Sequence, residues 1–347
     1  MRFASDNWFG AAPQIMDAVV QANGGIAAAY GDDEGNRRVE ARLAEIFEHE
    51  VRVFPVITGT AANALSLSLL TPPWGAIFCH ASAHVIADEC GATELHSGGA
   101  KLIGIEGEGS KIDPAGLIRA LEGHIAGNAH QVQPAALSIT QATELGQVYR
   151  PDEIRSLTRI ARSRGMRVHM DGARFTNALV SGTATPAELT WKAGVDVLSF
   201  GATKNGALGA EAVVLFDTGL AEALRYRRMR GGHLVSKGRF IAAQLEAYLK
   251  DDLWLGLARH ANAMARRLAD GIEGSPVARL AYPVPANEVF AILRRDADAR
   301  LKAAGSIYHE WIWDKPADMG EDEIMIRLVT AFATEQDEVD RFLNLLG

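Results

Sequence analysis

Seven short apolar segments, rich in β-branched residues, alternate with helix-like segments along most of this chain. These candidate strands are Arg52–Ile57, Ala76–Cys79, Leu102–Ile105, Ala135–Ile139, Arg167–Met170, Val195–Phe200 and Ala212–Phe216. Strands that alternate with helices are typical of a mostly parallel sheet covered by helices. Ligands of such sheets bind at the carboxyl ends of the strands. The alternation therefore predicts an α/β fold with its site at one edge of the sheet.

The remainder of the chain predicts a second, smaller domain of mixed α and β structure. A long helical region after Ser236 would connect into it. Its elements would be the strands Glu288–Leu293 and Glu323–Val329, a helix near Asp296–Ala304 and a final helix that begins at Thr334, a residue type suited to the N-cap position. We expect an N-terminal segment that contributes to the active site, a large domain and a small C-terminal domain, at residues 1–12, 13–245 and 246–347.

Composition excludes several classes of protein. The 347 residues are 48% apolar and 22% charged, enough for a sizeable core and two domains. The net charge of -8 argues against general binding to nucleic acids or anionic membranes. Cys79 and Cys90 lack metal-type spacing and fit a reducing compartment. With neither a signal-peptide pattern nor a run long enough for a bilayer, we expect a cytoplasmic protein.

One carboxylate and one amine lie at the ends of two candidate strands. Asp171 ends the segment R-V-H-M-D, and Lys204 follows V-L-S-F in a glycine-rich loop. Viewed alone, such an Asp is as often a turn or capping residue, and a loop lysine is usually solvated. Together they suit pyridoxal phosphate, since an amine can form a Schiff base and a carboxylate can pair with the ring nitrogen. The pair predicts pyridoxal phosphate chemistry on amino acids.

The segment T-G-T-A-A-N, residues 58–63, is the candidate phosphate site. It follows a candidate strand and opens an apolar helix, where free amides and the helix dipole attract a phosphate. Gly59 allows close approach, and the Thr60 hydroxyl can donate a hydrogen bond. The alternative is an ordinary strand–turn–helix junction with a threonine cap. The pattern is not that of a Walker A loop.

Three further side chains could contact the cofactor ring or a substrate. His84 could stack on the ring or act as acid or base, although a lone histidine is more often structural. Carboxylates lie nearby at Asp88 and Glu89, but no second ligand cluster supports a metal, and we expect none. Arg174 could reach the ring oxygen, and Arg327, in I-M-I-R-L-V-T, could hold a substrate carboxylate. The alternatives are solvated or ion-paired arginines.

The order and spacing of several motifs resemble the low-specificity L-threonine aldolases and the similar phenylserine aldolases, pyridoxal phosphate enzymes of fold type I. The motifs are F-A-S-D-N at 3–7, A-Y-G-D-D at 29–33, G-T-A-A-N at 59–63, A-H-V-I-A-D-E-C-G-A at 83–92, H-M-D-G-A-R at 169–174, W-K-A-G-V-D at 191–196, F-G-A-T-K-N-G at 200–206 and R-L-V-T at 327–330. The resemblance implies an aspartate-aminotransferase-like fold and a lyase that cleaves L-threonine, L-allo-threonine or phenylserine to glycine and an aldehyde. The alternative is another enzyme of fold type I, a β-eliminating lyase or an aminotransferase.

The resemblance also implies roles for individual residues. The cofactor would be attached to Lys204 and contacted by Asp171, Arg174, Gly59, Thr60 and His84, with Lys237 or Arg230 as a further phosphate ligand. The substrate would be held by Ser5, Arg174 and Arg327. Tyr30, with Trp8, Phe9 and Trp311, is an aromatic candidate for the aldehyde side. A second active-site histidine would be His130; whether His84, His130 or a water removes the β-hydroxyl proton stays open. The resemblance implies a homotetramer, a dimer of dimers with shared active sites.

Overall fold

The computed structural model describes residues 1–347. The strands are β1 Arg52–Val56, β2 Gly75–His80, β3 Lys101–Ile105, β4 Gln133–Thr140, β5 Arg167–Gly172, β6 Val197–Gly201, β7 Glu211–Leu215, β8 Ala278–Leu280, β9 Glu288–Arg294, β10 His309–Glu310 and β11 Glu323–Val329. The helices are α1 Pro13–Ala22, α2 Glu34–Phe47, α3 Gly59–Leu70, α4 His84–Ala87, α5 Ala92–Ser97, α6 Pro114–Glu122, α7 Pro151–Ser163, α8 Phe175–Val180, α9 Pro186–Leu189, α10 Ala221–Arg230, α11 Arg239–Leu249, α12 Leu253–Glu273, α13 Arg295–Ala303 and α14 Gln336–Asn344. No helix combines the length and the apolar composition needed to cross a membrane.

The seven predicted strands of the large domain are confirmed and form one sheet in the order β1-β7-β6-β5-β4-β2-β3. Strands β2 to β6 pair in parallel, and their residues are mostly buried because helices cover the sheet. Strand β7 runs antiparallel to both β1 and β6. Only residues 202–210 connect β6 to β7. A parallel crossover needs a dozen residues or more, so this short connection reverses the chain direction.

The smaller domain is built on an antiparallel sheet in the order β10-β11-β9-β8. Its predicted strands and helices are present, but the final helix begins differently. Its N-cap residue is Glu335, whereas the Thr334 hydroxyl accepts a hydrogen bond from the Ala331 amide in the preceding turn. The N-terminus also lies on this domain, because Phe3 is buried in its core and exchanges backbone hydrogen bonds with Ile307 and Val329.

Two helices form the long connector between the domains. Asp251 and Asp252 have φ angles of 51° and 55°, and this left-handed turn separates α11 from α12. At the start of α12, Trp254 packs into the core of the large domain. Further along α12, Ala265 and Leu268 pack into the core of the small domain. Because α12 contributes to both cores, the boundary at residues 245 and 246 stays a prediction.

Candidate active site

A cavity lies where α3 begins and where β4, β5 and β6 end. Its lining residues are Gly59, Thr60, Asn63, His84, Glu89, Thr140, Ala142, Thr143, Glu144, Asp171, Ala173, Arg174 and Lys204. The fold therefore brings six of the candidate residues to one place: Gly59, Thr60, His84, Asp171, Arg174 and Lys204. They come from four separate segments of sequence, and the parallel strands bring them together at one edge of the sheet.

Asp171 and Lys204 meet because their strands are neighbours. In the register of β5 and β6, Asp171 lies opposite Ser199. Lys204 follows β6 within the short turn 203–205, which ends at Gly206 with a φ of 111°. That left-handed angle suits a residue without a side chain. The turn reverses the chain direction within a few residues, so Lys204 remains at the end of β6, near Asp171.

The Asp171 carboxylate is buried and held by two donors. Asn63 donates its side-chain N–H to Oδ2 over 2.8 Å, and the Ala173 amide donates to Oδ1 over 3.0 Å. The same Asn63 amide group donates to Glu89. These contacts fix the carboxylate at the strand end, as a partner for a protonated ring nitrogen requires.

His169 lies two residues before Asp171 on the same face of β5. Its ring is fully buried, with Nδ1 2.9 Å from the Ser138 hydroxyl and Nε2 2.9 Å from the Ser199 hydroxyl. Burial lowers the pKa of His169 to about 4, against a smaller opposing effect of Asp171. The imidazole is therefore neutral beneath the site at physiological pH.

We expect His169 to make folding pH-dependent. An unfolded histidine takes up a proton below about pH 6.5, whereas folded His169 stays neutral to about pH 4. Its contribution to stability is therefore complete above pH 6.5 and is lost as the pH falls from 6.5 to 4. Between pH 7 and pH 5 this costs about 2 kcal/mol. Urea unfolding at both pH values should show that the change in stability from pH 7 to pH 5 is less favourable by about 2 kcal/mol in the wild type than in His169→Gln. The exposed His309→Gln control should match the wild type; equal changes in all three proteins would contradict the assignment.

The start of α3 fits a phosphate. The Thr58 hydroxyl accepts a hydrogen bond from the Ala61 amide, so Thr58 is the helix cap. The amides of Gly59 and Thr60 have no acceptor within the helix. No heavy atom lies within 4 Å of the position that a Cβ on Gly59 would occupy. The capping threonine and the phosphate cradle are thus compatible interpretations of one motif, and the open space and free donors suit the phosphate of pyridoxal phosphate.

Arg174 is mostly buried and is ion-paired on two sides. Its Nε and Nη2 donate to the two oxygens of Asp6 over 2.7 and 3.1 Å, and its Nη1 lies 3.2 Å from Oε2 of Glu288. Asn287 donates to Asp6 as well. Burial would raise the pKa of Asp6, but the charges of Arg174 and Lys204, together with the hydrogen bonds from Arg174 and Asn287, hold that pKa below its usual value. The N-terminal segment is thereby anchored at the site through Asp6.

Arg327 lies on β11 near this ion-pair network but does not line the cavity. Its guanidinium carbon is 5.0 Å from the centre of the Trp311 ring, and its buried Nε has no hydrogen-bond partner. Burial lowers the pKa of Arg327, and the charge of Glu288 opposes that shift. A half-buried guanidinium with a free Nε donor is suited to a substrate carboxylate.

His84 is held by a buried carboxylate. Its Nδ1 lies 2.9 Å from Oε1 of Glu89. This hydrogen bond raises the pKa of His84 above its ordinary value, against the effect of burial. The half-exposed ring remains beside the cavity, as ring stacking would require.

The remaining candidates lie outside the cavity, and their roles stay predictions. His130 is exposed in the loop that precedes β4, whereas the cavity lies at the other end of that strand. Tyr30 and Lys237 are exposed on neighbouring segments, since the Tyr30 amide donates to the carbonyl of Ser236; Arg230 is exposed too. The Ser5 hydroxyl accepts a hydrogen bond from the Asn7 amide and starts the turn that carries Asp6.

Sequence reasoning missed three residues of the site, Asp6, Glu144 and Glu288, and it placed Asn63 in the phosphate segment without its contact to Asp171. Glu144 is half-buried in the cavity wall just after β4, and its Oε2 atom is fully buried. The rule that selected Asp171 at the end of its strand would also have selected Glu144. Asp6 stands beside Ser5 in the motif F-A-S-D-N. Glu288 opens its strand without any local signal of function.

Comparisons with known proteins agree with this site. Residues 2–296 match the family described as beta-eliminating lyase. A low specificity L-threonine aldolase from Pseudomonas aeruginosa is 43% identical over 312 residues, which cover 90% of this chain and 89% of that protein. A threonine aldolase from Leishmania major has a TM-score of 0.92 at 29% identity, over 99% of this chain and 98% of that one. A structure of SPT with PLP has a TM-score of 0.70 at 16% identity, over 100% and 86%, and shows the fold alone.

The fold and the site define a pyridoxal phosphate enzyme of fold type I, as predicted. A mostly parallel seven-stranded sheet, a smaller antiparallel sheet and the Asp171–Lys204 pair are all in place. The chain belongs to the beta-eliminating lyase family.

Proposed function

We propose that this enzyme cleaves β-hydroxy-α-amino acids, namely L-threonine, L-allo-threonine and phenylserine, to glycine and an aldehyde. The observation that carries the proposal is the convergence of Lys204 and Asp171 on one cavity. It occurs in a chain 43% identical to a low specificity L-threonine aldolase.

Different residues of the chain would bind the substrate, hold the cofactor and stabilise charge during this cleavage. Of the two arginines, Arg327 is the one with a free donor for the substrate carboxylate. The guanidinium of Arg174 is already paired with Asp6 and Glu288. Holding the carboxylate fixes which bond to Cα stands perpendicular to the cofactor ring and therefore breaks. Lys204 would hold pyridoxal phosphate before the substrate amine displaces it, and the cofactor would supply the electron sink for the Cα–Cβ bond. Asp171 would keep the ring nitrogen protonated, and that positive charge would stabilise the negative charge that develops as the bond breaks.

A product assay tests this function against the alternatives. The purified enzyme with added pyridoxal phosphate should convert L-threonine to glycine and acetaldehyde, and phenylserine to glycine and benzaldehyde. Ammonia and a keto acid would instead indicate elimination, and a keto acid formed only with an amino-group acceptor would indicate transamination. Either result without aldehyde would contradict the proposal.

We also propose that the enzyme is a cytoplasmic homotetramer, a dimer of dimers whose sites are shared between chains. Both cysteines are free, which suits a reducing compartment. Tyr30 and Lys237 lie outside the cavity of their own chain, and nearby Ile26 is fully exposed at 103%. In the proposed assembly these exposed side chains would be buried against a neighbouring chain. Light scattering should give a mass near four times the 37.3 kDa of one chain; a monomer at working concentrations would contradict the shared site.

A further inference from the structure

Glu144 is a half-buried acid in the cavity wall to which the mechanism above gives no role. It follows β4 and lines the same cavity as Lys204, Asp171 and His84. Its Oε1 accepts hydrogen bonds from the His84 amide over 2.9 Å and from the Thr140 hydroxyl over 3.0 Å. Its Oε2 is buried and has no partner. A buried oxygen without a partner is costly, and such a group calls for a functional explanation.

We propose that Oε2 of Glu144 takes the proton from the β-hydroxyl of the substrate during cleavage. This inference rests on the proposed function. The O–H bond breaks, its proton passes to Oε2, and its electron pair forms the aldehyde C=O. The Cα–Cβ bond breaks at the same time, and its electron pair stays with the glycine fragment, whose Cα is protonated before release. In the direction of synthesis, Glu144 returns the proton to the aldehyde oxygen.

The position of Glu144 meets the geometric need for such a base. Two donors on Oε1 orient the carboxylate and leave Oε2 as the free acceptor. Both donors are parts of the site itself, since Thr140 ends β4 and His84 begins α4 beside the cavity. A general base acts only when its acceptor atom is held within hydrogen-bond reach of the proton.

The charge of the surroundings also suits Glu144. Burial raises its pKa to about 7, although the hydrogen bond from the His84 amide opposes the shift, and the charge of Asp171 adds to it. Its other titratable neighbours, Cys79 and Tyr149, have raised pKa values and stay neutral. An acid that titrates near neutral pH can accept a proton and give it back.

The two histidines are less suited to this step. Glu89 occupies Nδ1 of His84 and raises its pKa, which favours the imidazolium, and an imidazolium cannot accept a proton. His130 lies before β4, a strand of eight residues, on the side away from the cavity. At about 3.3 Å per residue, that strand alone separates the two ends by roughly 25 Å.

The test compares two reactions in Glu144→Gln, which keeps the shape of the side chain. Cleavage of L-threonine needs loss of the β-hydroxyl proton, and we expect its kcat to fall at least about 100-fold. Exchange of the glycine α-proton with D2O, followed by NMR, uses the cofactor, Lys204 and Asp171 but no β-hydroxyl. We expect that exchange to stay within a few-fold of wild type. Equal loss of both reactions, or wild-type cleavage, would overturn the role of Glu144.

A pH profile with a matched control completes the test. Wild-type kcat for cleavage should rise with pH through about 7, and Glu144→Gln should lack this rise. Glu211 is also buried with a pKa raised to about 7 by burial, but it lies on β7 and does not line the cavity. The rise should persist in Glu211→Gln; its loss there would assign it to Glu211 and contradict the inference. A wild-type enzyme that exchanges glycine but releases no aldehyde would contradict the proposed function instead.

Discussion

Replacing Lys204 with alanine should remove turnover, with kcat for cleavage lower by about 10,000-fold or more. The amine is the only group at this end of β6 that can bond covalently to the cofactor aldehyde, and the fold places it beside Asp171. Lys204→Arg should fail equally, because a guanidinium keeps the charge but forms no Schiff base at neutral pH. Absorbance spectroscopy should show that the band of lysine-bound cofactor is lost in both variants.

Lys192→Ala is the matched control for this result. Lys192 is ion-paired to Glu48 on the surface, away from the cavity. We expect its removal to leave both the absorbance band and kcat unchanged. If Lys204→Ala kept the band and cleaved threonine at a normal rate, another amine would carry the cofactor, and the assignment of the site would be wrong.

The convergence of Asp171 and Lys204 could be predicted because it depends on one rule. Parallel strands end at the same edge of a sheet, so two polar residues that follow neighbouring strands lie close together whatever the details of packing. The antiparallel direction of β7 could also have been predicted, because the short connection 202–210 excludes a parallel crossover. The same rule would have indicated Glu144, which follows β4.

The network around Arg174 could not be predicted in the same way. Its partners are Asp6 from the N-terminus and Glu288 from the start of a small-domain strand. Each contact joins segments more than 100 residues apart, and it depends on how the small domain packs on the large one. Local patterns contain no signal of that packing. The free donor of Arg327 has the same origin, because its surroundings are set by Trp311 and by the distance to Glu288.

Replacing Asp171 with asparagine should lower kcat about 1,000-fold, since it removes the negative charge that keeps the ring nitrogen protonated. The asparagine has nearly the same shape, but one end of its amide is a donor. It can accept from Asn63 or from the Ala173 amide, whereas Asp171 accepts from both. One buried donor therefore loses its partner, and unfolding should become easier by about 1–3 kcal/mol.

The effect on kcat is separable from this loss of stability. Asp217→Asn removes a carboxylate that pairs with Arg167 at the opposite end of the same strand. It should leave kcat unchanged, whatever it costs in stability. The position of the cofactor absorbance band reports the protonation of the ring, and we expect it to shift in Asp171→Asn and to stay in Asp217→Asn. A charged partner in a buried site cannot be removed without changing the protonation state that it stabilises. Activity within ten-fold of wild type and an unshifted band in Asp171→Asn would therefore show that protonation of the ring nitrogen does not depend on this carboxylate.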